Sequence, residues 1–181
     1  MNRIYCLTAS AVLMLGSLTL AHAAPKPKNE SPSTEARVIL EQIDASSASI
    51  ADTAFRLGAL VKDNRDPEAQ LDGLDEIKTD INKVGSELQS LAAERDSLSA
   101  WEGKALDQIL PLMHDAADNA EKAIQTYTSD RQRLWATSYV DDTARIYKDA
   151  DQVATLLRDY LKLAKTREKE SRIEQSLGEA Q

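Results

Sequence analysis

Residues 101–127 read WEGKALDQILPLMHDAADNAEKAIQTY. Within them Leu106, Leu110, Met113, Ala117, Ala120, Ile124 and Tyr127 follow one another at alternating steps of three and four. Such steps return every apolar side chain to one stripe of an α-helix, the side that must be covered by other helices. The same period recurs on both sides of this stretch, and that recurrence decides the fold class.

Upstream, the stripe Ala36, Leu40, Ile43, Ser47, Ile50, Ala54, Leu57, Val61 defines a first helix. Ser33 or Thr34 can cap its start. Residues 62–66 (KDNRD) end it, and Asp66 followed by Pro67 opens the next helix, since proline at the first helical position loses no needed N–H. A second helix carries Leu74, Ile77, Ile81, Val84, Leu88, Leu91 and Leu98. Gly73 and Gly85 should each weaken it by roughly 1 kcal/mol relative to alanine. No Gly or Pro marks the next boundary. Ser99 and Glu102 form the Ser-x-x-Glu pattern of a capping box, which starts the third helix near Ala100. Thr137 or Ser138 can cap a fourth helix, with Asp141 and Asp142 in its positive first turn. Its stripe is Val140, Thr143, Tyr147, Ala150, Ala154, Leu157, Leu161, Ala164.

The predicted fold is all-α: four helices of about 30 residues, each ~45 Å long. Short connections favour an antiparallel up-down-up-down four-helix bundle, and the steps of three and four favour coiled-coil-like shallow crossings. Two long hairpins that dimerise would satisfy the same pattern. Pro111 lies inside the third helix and should kink it, because it removes one backbone bond and crowds the carbonyl of Asp107.

The ends of the chain differ from its middle. Residues 1–23 have the form of an export signal: Arg3, an apolar run from Leu7 to Leu20, then Ala21-His22-Ala23 with cleavage before Ala24. The run is short for a membrane span, which needs about 20 apolar residues, though a retained anchor is the competing reading. Residues 24–34 hold three of the five prolines and read as an extended leader. The bundle is expected over 35–165, with a charged, fraying tail over 166–181. Loss of residues 1–23 would remove Cys6, the one cysteine, so packing without disulfides must hold the exported protein together. Lys plus Arg would fall from 22 to 21 against 30 Asp plus Glu, a net charge of −9. That charge repels phosphate backbones and argues against nucleic acid as a partner.

Chemistry-bearing groups are sparse. Covalent haem needs Cys-x-x-Cys-His, which is absent. Met113 and His114 are neighbours and point about 100° apart on one helix, so they cannot ligate opposite faces of one iron. A di-iron site needs two Glu-x-x-His pairs, yet Pro111 stands three before His114. Zinc lacks ligands, and no Ser sits in a nucleophile motif. The expectation is no catalytic residue, no metal and no cofactor. Aligning the four helices by their turns brings Ser47, Asn82, His114 and Thr155 to one level. A polar layer there would fix register or line a small ligand pocket. The aromatics Tyr127, Trp135 and Tyr139 should gather at the last turn, as a plug on the core or as a partner-facing patch. The charges Lys162, Lys165, Arg167, Lys169 and Arg172 suit the end of a helix, diluted by Glu168, Glu170 and Glu174.

These observations point to an exported, non-enzymatic bundle, periplasmic or secreted. It would act through contact with an unidentified protein partner or as a homodimer, with no integral membrane segment after processing. A ligand-binding or sensory bundle built on the layer around His114 is the alternative.

Overall fold

The structure is a computed structural model that describes residues 34–62, 67–130, 132 and 134–178. Expectations for residues 1–33, including cleavage between Ala23 and Ala24, lie outside the described residues. Among the described residues there are four α-helices and no strands: α1 (Thr34–Lys62), α2 (Pro67–Ala93), α3 (Ala100–Asp130) and α4 (Tyr139–Gly178). They pack as a ring, α1 against α2 and α4, and α3 against α2 and α4. No described helix is long and apolar enough to cross a membrane.

The α1 stripe is buried along its whole length, Ser47 included. On α2 the expected stripe is also buried, except that Ile81 is only partly covered. The α2 helix stops earlier than its apolar pattern does. It ends at Ala93 and passes through a 3-10 turn, Arg95–Ser97, while Leu98 still reaches the core from outside any helix. Ser97 holds that turn by donating both its N–H (2.9 Å) and its Oγ–H (2.7 Å) to the Glu94 carbonyl.

Two stripe positions are corrected. On α3 Leu110 is 45% exposed, and Ile109, Ala116 and Ala123 face the core instead. The rows 106-110-113-117 and 106-109-113-116 share the same period and differ by half a stripe. The small Ala105, Ala116 and Ala123 let the neighbouring helices come close on the second row, and packing selects it. On α4 Ile146 takes the inward position expected of Tyr147, whose phenol would otherwise be sealed in an apolar layer. The α3 helix continues through Pro111. The α4 helix runs to Gly178, and beyond residue 165 both carboxylate oxygens of Glu168 still accept from Arg37 Nη1 (2.9 and 3.1 Å).

The two glycines of α2 differ. A Cβ on Gly73 would lie 2.6 Å from Leu57 Cδ2, whereas one on Gly85 would meet nothing within 4 Å. Gly73 therefore serves the close approach of α1 and α2.

Candidate functional site

The expected polar layer does not assemble. Ser47 is buried, but Asn82, His114 and Thr155 all face solvent. Ser47 Oγ donates to Sδ of Met113 on α3, 3.8 Å away in the core. His114, one residue on and rotated by about 100°, points out of the bundle. Its ring is 73% exposed and its Nδ1 lies 3.6 Å from Asp118 Oδ2 on the same helix. With three of its four members in water, the ligand pocket proposed for this level has no walls.

The aromatic trio is likewise split. Tyr139 is fully buried, Tyr127 is buried, and Trp135 is 63% exposed. Tyr139 is a core residue with a polar tip, not part of a surface patch. Its hydroxyl donates to Gln70 Oε1 on α2, and Gln70 Nε2 donates to the carbonyl of Leu57 on α1 (3.2 Å). The first turn of α4 is thus tied through α2 to the backbone of α1. Burial pushes the Tyr139 phenol well above its ordinary value of 10.0, with Tyr127 adding a smaller rise. Gln70 stands four residues before Leu74, so it extends the apolar row of α2 by one position, and a polar side chain at that position is the sequence's hint of a buried role.

The exposed apolar surface lies elsewhere. Phe55 on α1 is 63% exposed and Tyr147 on α4 is 40% exposed, and their ring centroids are 5.8 Å apart. Beside them a cleft of about 540 Å³ opens between α1 and α2, floored by Leu57, Leu60, Ala69 and Gly73. Arg56, Asp72 and Glu76 form its rim. Arg56 is held there by Thr53 Oγ1 (2.7 Å), Asp52 (3.1 Å) and Glu76 (3.5 Å). The absent Cβ of Gly73 deepens the cleft. Phe55 falls outside the inward row of α1 and so carries no packing signal; that exclusion is the one clue the sequence offers.

A second groove lies between α1 and α4, with a volume of about 730 Å³, lined by Glu41, Asp44, Arg158, Lys162, Lys165 and Lys169. Arg158 pairs with Asp44 (3.3 Å) and Lys165 with Glu41 (3.5 Å). Lys162 and Lys169 make no ion pair among the described residues.

Acidic groups with unusual surroundings are scattered rather than clustered. Glu102 is buried, and its Oε2 accepts from the Ser99 N–H (2.8 Å) and Oγ–H (2.7 Å). Its Oε1, Glu87 Oε2 and Asp142 Oδ2 are buried without a hydrogen-bond partner. Burial raises Glu87 above its ordinary value, with Lys83 opposing; burial and then the facing Asp115 raise Asp149. Among the described residues no group of three or more His, Cys, Asp or Glu is placed to hold a metal ion. Comparison with protein-family models, with curated proteins and with solved structures finds no match.

Proposed function

We propose that this chain is an exported, non-enzymatic four-helix bundle that works by protein–protein contact, as an envelope scaffold or a holdase-like binder. The observation that carries the reading is the Phe55–Tyr147 ridge with its adjoining cleft. Two exposed aromatic rings in tilted contact (interplanar angle 51°), next to an apolar groove, form the kind of anchor that interfaces favour. Export rests on the signal-like pattern of residues 1–23. An up-down-up-down antiparallel topology is supported by pairs whose numbers run in opposite senses: Arg37 with Glu168, Asp44 with Arg158, Phe55 with Tyr147. Leu57 with Gln70, Arg95 with Asp107, and Gln108 with Tyr160 extend the same sense around the ring.

Photo-crosslinking from position 55 in native envelopes, followed by co-purification, tests this. The expected result is a discrete crosslinked protein species that Tyr147→Ser weakens. Crosslinking indifferent to that substitution would remove the reading. A small-ligand role is favoured by the same cleft, whose volume falls in the range of about 300–1,000 Å³ typical of ligand sites. A thermal-shift screen in which one compound raises Tm by several degrees, lost in Gly73→Leu, would support that role instead.

A further inference from the structure

We infer that the α1 face is a self-complementary surface that pairs with a second copy of this chain. The inference rests on the protein-contact reading above and names the partner. In the helix ring α1 lies between α4 and α2, so the two grooves described above flank it on opposite sides. They also sit at opposite ends. The α4-side groove is lined from α1 by Glu41 and Asp44, the α2-side cleft by Thr53, Phe55, Arg56 and Ala59. The offset of about 14 residues along α1 is roughly 20 Å.

The two grooves carry opposite charge. On α4, Arg158, Lys162, Lys165, Lys169 and Arg172 recur at steps of four and three, which puts all five on one row. Of these five, Arg158 and Lys165 are answered from α1 by Asp44 and Glu41, and Glu41 is shared with Arg37 (3.5 Å). On α2, residues 67–80 carry Glu68, Asp72, Asp75, Glu76 and Asp80 against the one cation Lys78. Arg56 answers Glu76, while Asp72 has no ion pair among the described residues. An acidic protein thus holds a basic row on one side of α1 and an acidic patch diagonally across it.

That diagonal is the pattern a two-fold axis requires. An axis lying in the contact plane, perpendicular to the line between the grooves and crossing α1 near Ser49, places each basic row over the other copy's acidic patch. The same contact is then made twice, as in an isologous dimer. The same operation covers the ridge: Phe55, six residues past Ser49, falls near the level of residue 43 on the second copy, next to the exposed Ala45, whose short side chain leaves room. Residues 38–59 span about 32 Å of α1. With neighbouring helices 8–10 Å to either side, the face offers on the order of 600 Å² before corrugation, close to the ~800 Å² per partner of ordinary interfaces. Complementary charge sets the register and makes association salt-dependent.

Sedimentation equilibrium of the full exported chain decides it. The expected result is a dimer at 50 mM NaCl whose Kd weakens at least ten-fold at 500 mM. Lys162→Glu with Lys169→Glu, or Asp72→Lys with Glu76→Lys, should weaken it ten-fold or more. All four changes in one chain should restore it, and a mixture of the two charge-swapped variants should form heterodimers. Circular dichroism melts confirm that each variant is folded, and the restoring combination guards against simple misfolding. A monomer at every salt concentration, or a dimer indifferent to the swaps, overturns the inference. A monomeric protein that still crosslinks through position 55 to a different polypeptide leaves the contact reading standing without the dimer. Loss of both removes both.

Discussion

The two helix starts that lack Gly and Pro solve the same problem in different ways. At the start of α3, Glu102 reaches back three residues to Ser99, taking both the N–H and the hydroxyl. At the start of α4, Tyr139 reaches 69 residues back to Gln70, and through it to Leu57. Both place a polar group in the core and both hold a helix at its first turn. The first is a local motif that any helix could carry. The second exists only when α1, α2 and α4 are already packed. A local bond forms early and cheaply; a distant one makes one part of the core conditional on the rest.

Tyr139→Phe leaves Gln70 Oε1 buried without its donor, so unfolding in urea should show a loss of ~1–3 kcal/mol. Adding Gln70→Leu should recover part of it, because neither polar partner is then stranded, and the double variant should cost less than the sum of the singles. The pH arm follows from the raised phenol. The folded state holds the Tyr139 proton above the pH at which the unfolded chain releases it, near 10.0. Its contribution is therefore complete below pH 10 and declines as the pH rises beyond it. Wild type should lose stability above pH 10 more steeply than Tyr139→Phe does; parallel curves would show that the phenol is not the titrating group.

At the local corner the effect should be smaller. Ser99→Ala removes one of the two bonds to Glu102, and a cap of this kind is worth ~1 kcal/mol. The loss should add to that of Tyr139→Phe, since the sites share no partner. The glycines of α2 offer a finer contrast of local and distant effects. Gly85→Ala should gain up to ~1 kcal/mol from helix propensity alone. Gly73→Ala should not show that gain, because the new methyl group meets Leu57 at 2.6 Å. Equal gains at both would mean that α1 and α2 can part without cost. The smallest effect belongs to His114→Leu. With the ring exposed and Asp118 beside it on the same helix, stability between pH 5 and 8 should stay within ~0.5 kcal/mol of wild type.

Much of the architecture was legible because helical packing writes a period into the chain. All eight residues of the α1 stripe are buried, and the Ser99–Glu102 start of α3 stands where the pattern put it. The candidate site was not legible in the same way. Asn82, His114 and Thr155 share a level only, and level does not say on which side of a helix a residue points. Leu110 and Tyr147 show the same weakness inside the stripes, where two adjacent rows share one period. Phe55 was visible only as a large apolar residue off the row. Its neighbour Tyr147 and the cleft over Gly73 depend on how α1 meets α4 and α2.

By itself, then, the order of residues determined four helices, their approximate ends and which broad face of each is apolar. These follow from interactions within about four residues, where backbone hydrogen bonding and side-chain spacing leave few choices. The tertiary structure alone decided which of two neighbouring rows faces inward, that Tyr139 rather than His114 holds the buried polar contact, and that opposite charges flank α1 diagonally. Those outcomes depend on the rotation of each helix about its own axis, which is set by close packing against neighbours far away in the chain.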